Sequence, residues 1–154
     1  MSDVKSNIEI PSIRDSLDRN GFIMSEVKGV SMLPTLRQCR DKVIIEVPKN
    51  DLQKGDMVLY VRFDGAYVLH RIIEVRADEY LIRGDNTYII EYVPKKNIVG
   101  IVTHIIRNDT MIDTNNPAYS NYLFILDKLY PLRKKLWQLR KIISFTIHHD
   151  LFQH

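Results

Sequence analysis

The alternation of apolar and polar positions divides the chain into a strand-rich body and a helical tail. Residues 42–47 are a short β-branched run ended by Pro48. Residues 56–63 and 66–75 flank Asp64-Gly65, the strongest short-range hairpin signal in the chain. A two-residue loop there pairs Phe63 with Ala66 and, counted back, sets Leu59 opposite His70. Further strands are expected over residues 80–83, 89–93 and 97–107, with Gly84-Asp85-Asn86 as a turn. Short apolar runs set off by turn residues suit a coiled antiparallel β-body. Ahead of it, residues 1–9 are polar and expected to fray. Residues 11–21 read as a short helix, with Ile13 and Leu17 one turn apart and Asn20-Gly21 as its stop.

After a polar loop over residues 108–118, helical periodicity runs from Tyr119 to about Ile147. Leu129, Leu132, Leu136, Leu139 and Ile143 share one face, and Pro131 is expected to kink the helix or start its second part. The expected fold is mainly β: a domain over residues 1–118 with a short N-terminal helix, followed by a basic amphipathic helical tail over residues 119–154.

Composition changes this picture little; charge changes it more. At 154 residues and 45% apolar, the chain suits one globular domain with a core. Its formal charge of +3 is uneven, with +4 in residues 119–154 and −1 in the rest. Any preference for anionic partners therefore belongs to the tail. Its apolar stripe, its cations and Trp137 lead us to expect a peripheral contact of residues 119–147 with an anionic membrane surface. The alternative is that the stripe packs on the β-body.

Cys39 is the only cysteine, so an internal disulfide is excluded and a reducing, cytoplasmic setting is expected. Its neighbours Arg37, Arg40 and Asp41 are not those of a thiol nucleophile. No stretch reads as a signal peptide, and no run of ~18 apolar residues reads as a transmembrane helix. His104, His148, His149 and His154 lack zinc-site spacing, so neither metal nor cofactor is expected. No helix-turn-helix region precedes the body, which leaves a nucleic-acid partner without support.

The candidate chemistry starts at residues 27–36. A strand-like run ends in Gly29, which tolerates backbone angles closed to other residues, and Ser31-Met32-Leu33-Pro34-Thr35 follows. Pro34 biases Leu33 away from helix. Ser31 is thus held at a chain reversal just past a strand, a good place for a nucleophile. On these ten residues alone, an ordinary turn is the simpler explanation.

Two later stretches change that balance. One is Gly55-Asp56-Met57-Val58, continuing to Leu69-His70-Arg71-Ile72-Ile73; the other is Arg83-Gly84-Asp85-Asn86. Three boxes in this order, G-x-S-M-x-P-T, then G-D-x-V with an apolar-H-R-apolar-apolar run, then G-D-N, resemble the type I signal peptidases and LexA-like serine peptidases. Within that group the sequence is most similar to the His-containing branch, the signal peptidases of archaea, the endoplasmic reticulum and some spore formers. The resemblance spans about residues 26–102.

The resemblance implies Ser31 as nucleophile and His70 as general base, since His70 stands where many bacterial relatives carry lysine. A hydroxyl is a poor nucleophile at neutral pH until a base takes its proton, and imidazole suits that task. His70 then needs an acid to hold its tautomer. Asp85 of the G-D-N box and Glu91, at a place where relatives usually carry aspartate, are both candidates. Gly29 replaces a hydroxyl residue that bacterial relatives often carry two places before the nucleophile. The Ser31 backbone N–H would then act with a second backbone donor or water, and one lost donor typically costs ~10²–10³ in rate.

The bland alternatives are that His70 is a core histidine, Asp56 a turn acceptor and Arg71 a partner for a carboxylate. Met32 and Leu33 read as core or pocket wall, and a small apolar pocket near them would fit Ala- or Gly-rich cleavage sites. The implied activity is serine endoproteolysis through an acyl-enzyme, on a peptide or protein substrate that includes leader and signal peptides. Two other classes stay open: a catalytically silent peptide-binding or regulatory module, and a LexA-like protein cleaving itself or one partner. Residues 1–30 contain neither the Ala-Gly nor the Cys-Gly that self-cleavage would use.

Overall fold

The computed structural model describes the backbone of residues 13–151 and the side chains of residues 13–139. The polar stretch 1–9 and the first residues of the expected N-terminal helix lie outside the described residues. The chain forms two compact units, residues 1–114 and residues 115–154.

The first unit opens with α1 (Ile13–Asn20), closed by the Gly21 N–H donating to the Leu17 carbonyl at 2.8 Å. Eight strands follow: β1 (Phe22–Glu26), β2 (Asp41–Glu46), β3 (Met57–Val61), β4 (Tyr67–Val75), β5 (Glu79–Arg83), β6 (Glu91–Pro94), β7 (Ile98–Arg107) and β8 (Thr110–Asp113). All pair antiparallel in one sheet of order β1-β2-β7-β3-β4-β5-β6, with β8 on β7. The fold is mainly antiparallel β with a short N-terminal and a long C-terminal helix, as the sequence pattern implies.

β7 joins the two halves of the sheet. Its later residues pair with β2, and Ile98, Gly100 and Ile101 pair with β3. Register shifts at Ile44/Ile45, Leu59/Tyr60 and Ile72/Glu74 add local twist, which coils the sheet. Leu52, Val58, Tyr60, Ile72, Tyr80, Ile82 and Val93 pack together as a core cluster on one face of β3–β6. Each such buried side chain stabilises by roughly 1.5–3 kcal/mol.

Two expectations need correction. The β3–β4 loop has three residues, not two. The Arg62 N–H donates to the Ala66 carbonyl at 2.9 Å, and Gly65 takes a left-handed φ of 82°. The Asp64 side chain also accepts the Ala66 N–H at 3.0 Å, which favours the longer loop. The register therefore sets Val58, not Leu59, opposite His70. Because side chains alternate, this puts Tyr60 on the His70 face and sends Leu59 to the other.

The second correction concerns residues 108–118, expected as a loop. Residues 110–113 form β8, returning along β7 through Asn108-Asp109, both at positive φ (47° and 59°). Asn and Asp tolerate that conformation better than other non-glycine residues, and it makes a tight hairpin turn.

The second unit is α2 (Pro117–Leu151), beginning two residues before the expected start. Asn116 caps it: its side-chain oxygen accepts the Ala118 N–H at 2.8 Å, and its carbonyl accepts the Tyr119 N–H at 2.9 Å. Pro117 fits the first helical turn, where an N–H has no intrahelical partner. Pro131 lies inside the helix. Leu129, Leu132, Leu136, Leu139 and Trp137 are exposed, whereas the side chains of Arg140, Lys141 and Ile143 lie outside the described residues. No described helix is long and apolar enough to cross a membrane.

Candidate active site

Ser31 lies in a loop between β1 and β2 that is tied at both ends. The loop enters through Gly29, at φ 77°, whose N–H donates to the Gln38 side chain at 2.7 Å. Asn86 holds the middle from outside: its backbone N–H donates to the Ser31 carbonyl at 2.7 Å and its side-chain amide to the Val30 carbonyl at 3.2 Å. At the far end, Arg107 donates to the Thr35 carbonyl at 2.7 Å and to buried Asp41 at 3.0 and 3.1 Å. Burial alone would raise the Asp41 pKa. Hydrogen bonds from Arg40, Arg107 and the Arg37 N–H outweigh it and hold the carboxyl far below the usual range.

His70 and Arg71 follow one another on β4, so they face opposite sides of the sheet. On its side, Arg71 donates through Nε and Nη2 to the two oxygens of Asp85, each at 2.7 Å. Its Nη1 donates to the Gly55 carbonyl at 2.7 Å, and the Thr35 hydroxyl donates to Asp85 as well. Arg71 and Asp85 are both buried. This cluster joins the three sequence boxes: Thr35 from the first, Arg71 from the second, Asp85 from the third.

On the other side, His70 Nδ1 lies 3.3 Å from Glu91 Oε1 and 3.3 Å from the Tyr60 hydroxyl. Glu91 opens β6, and Arg62, just past the end of β3, grips its carboxylate with both prongs: Nε to Oε2 at 2.7 Å and Nη2 to Oε1 at 2.5 Å. Burial pushes the Glu91 pKa up, but hydrogen bonds from Arg62 and Tyr60 outweigh it and the net shift is downward. An ionised Glu91 only accepts, which assigns a proton to His70 Nδ1 and leaves Nε2 with the lone pair. Burial is the largest influence on His70 and favours the neutral ring, holding its pKa below the ordinary 6.5 against the opposing pull of Glu91. Burial, reinforced by Glu91, drives the Tyr60 hydroxyl far above its ordinary 10.

Ser31 and His70 line the same open cavity of about 630 Å³, with Met32, Val68 and Thr87 among its walls. No hydrogen bond joins the Ser31 hydroxyl to His70 in this form; such bonds often tighten only when substrate is bound. Gly84 allows the close approach. A Cβ at Gly84 would meet the Ser31 carbonyl oxygen at 2.6 Å and both His70 Nε2 and the Thr87 hydroxyl at 3.0 Å.

Residues 2–103 match the model of one protein family, described as peptidase S24-like. The chain belongs to the peptidase S24-like family. No curated protein matches it. The matched span contains Ser31, His70, Asp85 and Glu91 together with β1 to β6 and the first six residues of β7.

In this S24-like chain, Ser31 and His70, 39 positions apart in sequence, face one cavity. Asp85 and Glu91 are separated: Glu91 stands at His70 Nδ1, while Asp85 has both oxygens engaged by Arg71. Arg71 pairs with a carboxylate, and Asp56 accepts the Gln53 N–H at 2.8 Å in the turn before β3. Met32 is buried, and Cys39 is exposed. Sequence reasoning overlooked Arg62, Tyr60 and Asn86. Asn86 was within a quoted box, but Arg62 and Tyr60 become visible only once the hairpin register is known.

Proposed function

We propose that this chain is a serine endopeptidase acting through an acyl-enzyme on Ser31, with His70 as general base and Glu91 as the acid that orients it. His70 Nε2 takes the Ser31 hydroxyl proton as Oγ bonds to the scissile carbonyl carbon. The tetrahedral intermediate collapses, the C–N bond breaks, and the leaving amine takes the proton from His70. Water, deprotonated by the same nitrogen, then releases the acyl group and restores Ser31. Asp85 serves a different purpose, tying Thr35 of the nucleophile loop to Arg71 of β4. The observation carrying the proposal is that Ser31 and His70 share one cavity while Glu91 sits on the ring nitrogen facing away from it.

The Ser31 backbone N–H is positioned by the Asn86 clamp to serve as an oxyanion donor, with no side-chain hydroxyl at Gly29 to assist. The substrate class is a peptide in extended form, leader or signal peptides included, consistent with the His-containing branch. A panel of such peptides should be cleaved by the wild type and left intact by Ser31→Ala and by His70→Ala. The double variant should be little worse than either, because the pair acts as a unit. Strictly multiplicative losses would count against a shared proton transfer.

A second reading, cleavage of this chain itself or of a single partner, is favoured by one feature: Ile13 of α1 lines the same cavity as Ser31. Ser31-dependent self-cleavage on incubation of the purified chain would select it. The proposal extends to α2, whose exposed Leu129, Leu132, Leu136 and Leu139 are accompanied by Arg133, Lys134 and Lys135. That composition suits reversible attachment to an anionic lipid surface.

A further inference from the structure

We propose that Arg62 is a positioning residue for the Ser31–His70 site, holding Glu91 so that one carboxylate oxygen stays on His70 Nδ1. This deepens the peptidase reading and rests on it. The setting of Glu91 by itself holds the side chain weakly. Glu91 is the first residue of an edge strand, Ile89 and Ile90 before it are exposed, and its own side chain is 21% exposed. It also has one more rotatable bond than an aspartate. A carboxylate so placed gains little by pointing inward at a neutral imidazole when it could turn to water.

The Arg62 fork removes that freedom. Both oxygens are taken by a planar guanidinium, at 2.7 and 2.5 Å, so the carboxylate plane is fixed and Oε1 is shared between Arg62 and His70. Tyr60 of β3, two residues before Arg62, adds a third contact to the Glu91 carboxylate. The guanidinium has a second effect. Among the described residues, the charged and titratable groups that act on His70 are Tyr60 of β3, Arg62 just past its end, Glu91 of β6, and Asp85 of the turn after β5. Arg62 is the one cation among them. It offsets the pull of Glu91 toward imidazolium and helps keep Nε2 unprotonated near neutral pH.

Position and charge can be separated by experiment. The His70 ring is titrated by NMR, and the rate of Ser31 acylation by a fluorophosphonate probe is followed across pH, in wild type, Arg62→Gln and Arg62→Lys. Arg62→Gln should raise the His70 pKa, moving the acylation profile to higher pH, and lower the plateau rate by up to about 10²-fold, the scale of a ~1 Å misplacement. Arg62→Lys keeps the charge but cannot span both oxygens, so it should restore the titration while leaving the plateau rate reduced. An unaltered His70 titration in Arg62→Gln, or full acylation rates in both variants, overturns the inference. Should Arg62→Gln fail to fold, plateau acylation by Arg62→Lys at the wild-type rate overturns it, and a reduced rate with the wild-type titration supports it. If the probe never labels Ser31 in the wild type, the peptidase reading fails, while the His70 titrations still decide whether Arg62 governs that ring.

Discussion

Glu91 Oε1 lies 3.3 Å from His70 Nδ1, the ring nitrogen that a hydrolytic mechanism leaves free for an orienting acid. Asp85, the other acid the sequence offers, is instead held by Arg71 on the opposite face of the sheet. The two carboxylates are therefore expected to fail in different ways when removed.

Glu91→Gln should keep the fold and lose about 10²–10⁴-fold in acylation rate, the range of a general-base contribution. Asp85→Ala should be destabilised by about 3–5 kcal/mol, because it leaves the Arg71 guanidinium buried without its partner. Thermal unfolding and probe labelling of both variants check this. A stable, inactive Asp85→Ala beside an active Glu91→Gln would reverse the assignment.

The pH profile follows from burial. The His70 pKa is depressed, so the neutral base is present at lower pH than for a free imidazole. The acylation rate should rise through an apparent pKa below 6.5 and be flat above it. The sign for stability is the same: the folded state binds fewer protons than the unfolded one, so stability falls as pH drops below 6.5. A rate that rises only above pH 6.5 would show that His70 is not the base.

Acid sensitivity has a second source in Asp41, whose carboxyl is also depressed. Its stabilisation is complete above its ordinary value of 3.8 and is lost as pH falls below it. Asp41→Asn should therefore be less stable at neutral pH and show a shallower loss of stability on acidification. Chemical denaturation at pH 7 and pH 3 measures both.

Gly84→Ala tests the close approach of the turn to the site. The added methyl would press on a backbone carbonyl at 2.6 Å, a contact that must shift something. A stability loss of about 1–3 kcal/mol is expected, together with loss of Ser31 acylation. Wild-type acylation in Gly84→Ala would mean that the loop and the turn are not held together as described.

For α2, co-sedimentation with anionic vesicles should exceed that with neutral vesicles and weaken with salt. Each cation near such a surface contributes ~1 kcal/mol. Replacing Arg133, Lys134 and Lys135 with glutamine should abolish most of the difference. Equal binding to neutral vesicles would remove the electrostatic part of the proposal.

Much of this was legible in the sequence because it is local. The stop at Gly21, the hairpin around Asp64-Gly65 and the turn at residues 84–86 are written in residues next to one another. Ser31 and His70 were legible only through the order of three boxes. The register was misplaced by one residue, because Asp64-Gly65 serves a three-residue loop as well as a two-residue one. That shift is what hides Tyr60 and Arg62. β8 was missed because its signal is a pair of left-handed residues, Asn108-Asp109, amid polar neighbours. The choice between Asp85 and Glu91 depends on which face of β4 each reaches, and no periodicity within either segment carries that information.

The proposed mechanism stands on a nucleophilic Ser31 activated by His70. Labelling of the purified chain with a fluorophosphonate probe, with the modified residue located by mass spectrometry, tests it most directly. One adduct is expected, on Ser31, forming more slowly in His70→Ala and absent in Ser31→Ala. No adduct, or an adduct that survives Ser31→Ala, would contradict it.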